Sequence, residues 1–187
     1  MTRIAYQGAP GAFSYLAARD LFPRARPQAM SDFASVVRAV AQGRAELGIL
    51  PVENSVIGAV HAANAALQAE SGVVIVQDVT FPIRQCLLAL PGADIHRIRW
   101  VESHPAALAQ CSRWLSTQQL TARAVEDTAG AACSIAADRD FTRAAIAGIE
   151  AAELYGLVVI AADIADHPDN RTRFVVITTA AHAEVAA

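Results

Sequence analysis

The stretch Asn170-Arg171-Thr172-Arg173-Phe174-Val175-Val176-Ile177 joins a polar segment to an apolar run near the end of this 187-residue chain. Aromatic and β-branched residues are typical of strands, so the run predicts a strand whose inward side chains are Phe174 and Val176. Such a strand would hold its own start rigidly, and Thr172 and Arg173 could then meet a substrate oxygen and a substrate carboxylate. Taken alone, the segment is also compatible with an ordinary strand that has a polar entry.

Upstream of this strand, short apolar runs alternate with alanine-rich stretches, which predicts an α/β fold with mostly parallel strands. The predicted strands are 3–7, 47–52, 73–79, 83–90, 97–101, 121–125, 144–146 and 157–160. The predicted helices are 12–21, 33–42, one through 60–67, one after Ser103, one from Asp127 and 150–155. The chain changes character at Phe81-Pro82, so we expect one lobe from about 1–80 and 163–187, a second from about 81–162, and a cleft between them.

The composition excludes several classes of function. All 15 basic residues are arginine, so no lysine can form a Schiff base or fill a Walker phosphate site. The net charge of −3 and the dispersed arginines argue against a nucleic-acid partner. No apolar run reaches the roughly 18 residues of a membrane span, and the start reads as a strand rather than a secretory signal. We therefore expect a soluble, cytoplasmic protein that acts on a small molecule.

Cysteine and histidine positions indicate neither disulfides nor a metal. Cys86, Cys111 and Cys133 are odd in number, lie in apolar surroundings and lack a C-x-x-C spacing, so all three are interpreted as buried small hydrophobic residues. The five histidines are scattered without metal-ligand spacing. The sequence thus predicts no cofactor and no metal.

Four strand-to-helix turns share a polar or glycine-containing sequence: Gly8 to Ser14, Glu53 to Ser55, Ser103 to Pro105, and Asp127 to Ala129. Turns of this kind present free backbone N–H groups and the positive end of a helix dipole, which suits a ligand with carboxylates. Each turn singly is explained by ordinary helix capping.

In order and spacing, six segments together resemble the prephenate dehydratases over residues 3 to about 177. They are Tyr6-x-Gly8-x-x-Gly11-Ala12-Phe13-Ser14, Pro51 to Ser55, Ser103-His104-Pro105 through Cys111, Asp127-Thr128-Ala129, Ala145 to Ala147 with Tyr155-Gly156-Leu157, and Asn170-x-Thr172-Arg173-Phe174. The resemblance implies a two-lobed, periplasmic-binding-protein-like (type II) fold and a homo-oligomer, a dimer or higher. It implies that prephenate loses its ring hydroxyl and ring carboxylate together, giving phenylpyruvate for L-phenylalanine biosynthesis.

The resemblance also implies roles for individual residues. Thr172 would donate a hydrogen bond to the departing hydroxyl, because an alcohol is too weak an acid for more. Arg173 would bind a carboxylate, and Asn54 and Ser55 would hold the hydroxyl or the pyruvyl group.

The remaining site residues implied by the resemblance are supporting ones. Ala12 and Ser14 would supply backbone and hydroxyl donors, as Thr128 and Ala129 would from the other lobe. Phe174 would pack the substrate ring or the core beneath it. Glu53 is interpreted as an orienting carboxylate, since the reaction needs no base, and His104 as a helix-start residue.

The sequence departs from the family pattern at Tyr15, Gln85 and Gly148, where Glu, His and Ser are common. Only about ten residues follow Ile177, so we expect no regulatory ACT domain.

Arogenate, in which an amine replaces the keto group, is an alternative substrate. A non-aromatising prephenate decarboxylase is disfavoured by Thr172, and a non-catalytic module that binds small carboxylates remains a third reading.

Overall fold

The computed structural model describes residues 2–185 and divides into two compact units. Of the described residues, unit 1 holds 2–8, Phe13–Pro82 and 171–185, whereas unit 2 holds Ala9–Ala12 and Ile83–Asn170. The return to the first unit thus lies at Arg171 and not near Asp163 as expected. The reason is that Ile164 N–H donates to Gln85 O and keeps residues 163–170 within unit 2.

Strands and helices alternate through both units. The strands are β1 (Arg3–Gln7), β2 (Arg26–Met30), β3 (Leu47–Asn54), β4 (Gly58–Ala59), β5 (Val73–Pro82), β6 (Cys86–Ala89), β7 (Trp100–Ser103), β8 (Thr121–Ala124), β9 (Arg143–Ala147), β10 (Val158–Ala161) and β11 (Arg171–Thr179). The helices are α1 (Phe13–Leu21), α2 (Phe33–Ala41), α3 (His61–Gln68), α4 (Pro105–Gln110), α5 (Ser112–Thr117), α6 (Thr128–Asp138), α7 (Ile149–Tyr155) and α8 (Ala180–Val185).

Both sheets are mixed. In unit 1 the order is β2-β1-β3-β11-β5, with β4 beside β3, and β11 runs antiparallel to both of its neighbours. In unit 2 the order is β10-β6-β9-β7-β8, and β6 is the strand that runs against its neighbours. The unit 1 sheet thus has two reversed strands, β11 and the short β4, and the unit 2 sheet has one, β6.

Strand β11 is buried on both faces. Phe174 and Val176 pack with Ile4, Tyr6 and Ile49 on one face of the sheet. Val175 and Ile177 pack with Val36, Val40 and Leu50 on the other face. The prediction that Phe174 and Val176 point inward is correct, but Val175 and Ile177 are buried as well. A central strand that is packed on both faces has a continuous apolar sequence rather than an alternating one. This packing fixes the start of β11, where Thr172 lies.

Several local predictions change in the structure. Strand β2 was not predicted, because its sequence Arg-Pro-Gln-Ala-Met has weak strand character and becomes a strand by pairing with β1. The helix expected after Ser103 is α4, and its N-cap is His104, whose side chain accepts from Ala106 N–H. Cys86 and Cys111 are buried, but Cys133 is exposed and so is not a core residue. Among residues 2–185, no helix is long and apolar enough to cross a bilayer.

Candidate active site

Asn54 and Thr172 meet where β3 and β11 are paired in unit 1. They are direct partners in the strand register, and both are buried, with 5% and 7% of their surface exposed. Asn54 Nδ2 donates to Thr172 Oγ1 at 2.9 Å and to the Arg171 carbonyl at 3.1 Å. The structure thus brings together two residues that the sequence proposed as catalytic.

The orientation of the Asn54 amide is fixed by its other end. Its Oδ1 accepts from Val56 N–H at 2.9 Å and from Ile57 N–H at 3.1 Å, so the amide nitrogen must face Thr172. The Thr172 oxygen therefore acts as an acceptor toward Asn54. A hydroxyl carries one proton, and this arrangement leaves that proton for an acceptor other than Asn54.

Ser55 extends the pairing of the same two strands. Its backbone N–H donates to the Arg171 carbonyl, and its Oγ accepts from Arg171 N–H, each at 2.9 Å. The Ser55 hydroxyl oxygen thus binds the backbone of the segment that carries Thr172. Its position next to Asn54 agrees with the predicted grouping, and its bond to Arg171 adds a role in aligning the strands.

Arg173 lies on the other face of the sheet from Thr172. Successive side chains of a strand alternate in direction, and an extra residue in β3, at Val52, lets Glu53 share the face of Arg173. Arg173 Nη1 lies 2.7 Å from Asp78 Oδ2, and its Nε lies 3.1 Å from Glu53 Oε2. The hydrogen bonds that the guanidinium donates to Asp78 and, in second place, to Glu53 raise its pKa. The hydroxyl and guanidinium, expected side by side, are therefore separated by the sheet.

Ser14 and Phe174 also belong to unit 1. Ser14 is the second residue of α1 and is 7% exposed. Phe174 is 1% exposed and meets Phe81 edge-to-face with ring centroids 6.4 Å apart. Phe174 consequently packs the core beneath Thr172, which is one of the two roles expected of it.

In unit 2 the structure places Ala12, Thr128 and Ala129. Ala12 is not an available backbone donor as predicted, because its N–H donates to Ala9 O at 3.0 Å within a turn. Thr128 is the first residue of α6, whose N-cap Asp127 accepts from Gly130 N–H. Ala129 is fully buried beneath this helix start.

A buried amide cluster in unit 2 was missed by the sequence analysis. Gln110 Oε1 accepts from Gln85 Nε2 at 3.2 Å and from Asn170 Nδ2 at 3.0 Å. Gln85 Oε1 is buried and has no hydrogen-bond partner among the described residues. Gln85 had been singled out as a departure from the family, but no local pattern links it to residues 25 and more positions away.

Two other departures and the metal prediction can be placed. The Tyr15 ring lies 5.4 Å from the Tyr6 ring, and Arg19 lies 5.9 Å over its face. Gly148 is the N-cap of α7 and supplies no side-chain cap. Within the described part of the chain, no three His, Cys, Asp or Glu side chains are gathered as metal ligands. The absence of a metal and of a cofactor stays a prediction.

A sequence model of the family described as prephenate dehydratase matches residues 4–182, nearly the whole chain. The chain belongs to the prephenate dehydratase family. The resemblance inferred from the six segments is therefore confirmed. An Arabidopsis thaliana relative, arogenate dehydratase/prephenate dehydratase 2, chloroplastic, is 41% identical over 175 residues, which are 94% of this chain and 46% of the relative. The chain thus spans less than half of that relative's length.

Two solved structures share the fold, and one of them is a prephenate dehydratase. The prephenate dehydratase from Arthrobacter aurescens, in complex with L-Phe, has a TM-score of 0.88 at 28% identity, covering 95% of this chain and 60% of that one. GqqA, described as a novel type of quorum quenching acylase, has a TM-score of 0.85 at 36% identity, covering 95% and 64%.

A ligand-binding component of an ABC-type import system from Staphylococcus aureus matches with a TM-score of 0.53 at 11% identity, covering 99% of this chain and 69% of that one. This likeness concerns the fold alone. The expected periplasmic-binding-protein-like fold of the prephenate dehydratase family is thereby confirmed.

Proposed function

We propose that this chain is the catalytic part of a dehydratase that converts prephenate to phenylpyruvate in L-phenylalanine biosynthesis. The observation that carries the proposal is the Asn54–Thr172 hydrogen bond, which assigns the hydroxyl oxygen as acceptor and leaves the hydroxyl proton to be donated. The membership of the prephenate dehydratase family supports the same reaction class.

The reaction places one clear demand on this hydroxyl. The bond between the ring and its carboxylate breaks and releases carbon dioxide, its electron pair enters the ring, and the ring hydroxyl leaves and becomes water with one proton. Negative charge builds on the leaving oxygen, so a positioned donor gains strength as the reaction proceeds. Thr172, buried and held by Asn54, would donate a hydrogen bond to the leaving oxygen without being converted into an alkoxide, and the proton that completes the water would come from solvent.

Arg173 has a different place in the proposal from the one expected. Its guanidinium is held by Asp78 and Glu53 on the face opposite to Thr172. A substrate carboxylate would have to compete with both of these carboxylates. We therefore assign Arg173 to the alignment of β3, β11 and β5, and we assign Glu53 to holding Arg173, in line with its expected orienting role.

Arogenate is the alternative substrate within the same reaction class. The Arabidopsis relative is named for both arogenate and prephenate, and the Arthrobacter protein is named for prephenate. Loss of the hydroxyl and carboxylate is common to both compounds, so the Thr172 donor serves either one. The oligomeric state and the cytoplasmic location stay predictions, and the Arabidopsis relative is named as chloroplastic.

The test is to incubate the purified chain separately with prephenate and with arogenate and to identify the products. We expect phenylpyruvate from prephenate. Thr172→Ala should lose most of the rate while it still binds substrate, and Thr172→Ser, which keeps a hydroxyl, should recover part of it. Turnover by Thr172→Ala at the wild-type rate would remove Thr172 from the mechanism. Binding of either compound without any product would favour the non-catalytic binding module.

A further inference from the structure

The segment Ala9-Pro10-Gly11-Ala12 forms a tight turn within unit 2. Ala12 N–H donates to Ala9 O at 3.0 Å, which closes the turn. Gly11 has a φ of +90°, and proline precedes it. Proline followed by a residue with positive φ is the arrangement of a type II turn, in which glycine is favoured at the third position.

This turn rests directly on helix α7. Tyr155 Oη donates to Pro10 O at 2.6 Å. A Cβ built on Gly11 would lie 3.1 Å from Leu154 Cδ1 and 3.5 Å from the Ala151 Cα. Glycine is therefore required at position 11 for two reasons. Its φ is positive, and α7 lies too close to leave room for a side chain.

Tyr155 is itself firmly placed. It is the last residue of α7, and Gly156 follows it in the left-handed conformation with φ of 66°, donating its N–H to Ala152 O. Such a glycine cap is a common way to end a helix. The phenol therefore reaches the turn from a defined helix end.

The bond to Pro10 O also sets the direction of the Gly11 N–H. The C=O and N–H of a trans peptide point in opposite directions, so a carbonyl held by Tyr155 turns the Gly11 N–H away from the phenol. The N–H of Ala12 is used inside the turn. Gly11 is buried, and its N–H has no hydrogen-bond acceptor among the described residues. Buried backbone N–H groups are seldom left without a partner.

We propose that Tyr155 is a positioning residue for substrate binding, which holds the Pro10–Gly11 peptide so that the Gly11 N–H donates to an oxygen of the substrate. Gly11 then takes the donor role that the sequence had given to Ala12. This inference rests on the proposed dehydratase function. It gives the Tyr155-Gly156-Leu157 segment, which matched the family without an assigned role, a specific part in the site.

The test uses Tyr155→Phe, which removes only the hydroxyl, in the full chain. Tyr15→Phe is the matched control, since the Tyr15 hydroxyl accepts a side-chain hydrogen bond only from Arg19, at 3.4 Å, among the described residues. The first measurement is amide hydrogen exchange of Ala12 by NMR without substrate. We expect exchange about fivefold faster in Tyr155→Phe, as the loss of one hydrogen bond would cause, and unchanged in the control.

The second measurement is steady-state kinetics with the substrate that the wild-type chain converts. We expect KM to rise about fivefold in Tyr155→Phe with kcat within about twofold, because the lost contact orders a binding group rather than the reacting one. If the Ala12 amide exchanged at the wild-type rate in Tyr155→Phe, Tyr155 would not hold the turn and the proposal would be overturned. Faster exchange with an unchanged KM would overturn the binding role of the turn and leave the proposed function intact. A wild-type chain that converts neither prephenate nor arogenate would instead overturn the proposed function, and with it the role of Tyr155 in substrate binding.

Discussion

Asn54 Nδ2 lies 2.9 Å from Thr172 Oγ1, although 118 positions separate the two residues in the chain. Their partnership depends on the register of β3 and β11, which places them opposite each other at the ends of both strands. Because Asn54 donates to the Thr172 oxygen, the Thr172 proton is left available to a ligand.

Replacing Asn54 by aspartate should reverse the direction of this hydrogen bond. A carboxylate only accepts, so the Thr172 proton would turn toward residue 54 and away from the substrate. We expect Asn54→Asp to lower kcat about a hundredfold, the effect of losing one oriented donor, which steady-state kinetics would measure.

Asn64→Asp is the matched control for this substitution. Asn64 Nδ2 donates to Val52 O at 2.8 Å, so this variant should lose stability without a comparable loss of kcat. A kcat in Asn54→Asp within about threefold of wild type would contradict the donor assignment of Thr172.

The second prediction concerns Asp78 and Arg173. The Asp78 side chain is 50% exposed, so its ion pair with Arg173 should contribute less than about 1 kcal/mol to the free energy of unfolding. If Arg173 aligns strands, Asp78→Asn should leave KM unchanged in steady-state assays. The exposed Asp20 on α1 offers a control, Asp20→Asn. A clear fall of KM in Asp78→Asn alone would mean that Asp78 competes with a substrate carboxylate for Arg173.

Gly11→Ala should destabilise the fold through two separate effects. One is the positive φ, and the other is the 3.1 Å approach of Leu154 Cδ1 to the new Cβ. Gly43 also has a positive φ, of 67°, but no atom lies within 4 Å of its Cβ position. We expect Gly43→Ala to cost about 1 kcal/mol in urea unfolding and Gly11→Ala to cost about 2 kcal/mol. Equal losses in the two variants would show that α7 does not press against the turn.

The fourth prediction is a pH dependence at Glu46. Hydrogen bonds from the Arg3 side chain and backbone lower the pKa of Glu46 from 4.5 to about 2. A lowered pKa stabilises the fold at pH values above the ordinary pKa, and this contribution is lost as the pH falls from about 5 toward 2. The side chains are 39% and 31% exposed, so solvent screening limits the effect to about 1 kcal/mol.

Glu46→Gln should therefore unfold more easily than wild type at pH 7 and equally at pH 2, as measured by urea unfolding. Glu153→Gln, at an exposed position on α7, is the control. A difference between Glu46→Gln and wild type that is the same at both pH values would exclude the charge of Glu46 as its cause.

Sequence reasoning located the elements of this fold because their signals are local. The apolar run at 174–177 predicted β11. Asp127 predicted the start of a helix, and its side chain accepts from the backbone N–H of Gly130, three residues on. Periodicity and capping depend on residues a few positions apart, so they can be recognised in a single sequence. Strand β2 escaped because its pairing with β1, and not its composition, makes it a strand.

The site was predicted less completely because its geometry depends on contacts between distant strands. The six family segments named Asn54, Ser55 and Thr172, which the structure does bring together. They could not show that Glu53 lies beside Arg173, because the extra residue in β3 that places it there is set by the pairing of β3 with β11. Asp78 was missed altogether, since it lies 95 positions from Arg173 and no short motif contains both.

By itself, the sequence determined the alternation of strands and helices, the buried run of β11 and the family to which the chain belongs. Tertiary structure alone decided that Asn54 holds the Thr172 oxygen, that Arg173 is held by two carboxylates across the sheet, and that Tyr155 holds the turn at Gly11. The physical reason is that propensity and capping are set by neighbours in the chain. Hydrogen-bond direction and side-chain face are set by strand register and packing between residues far apart in it.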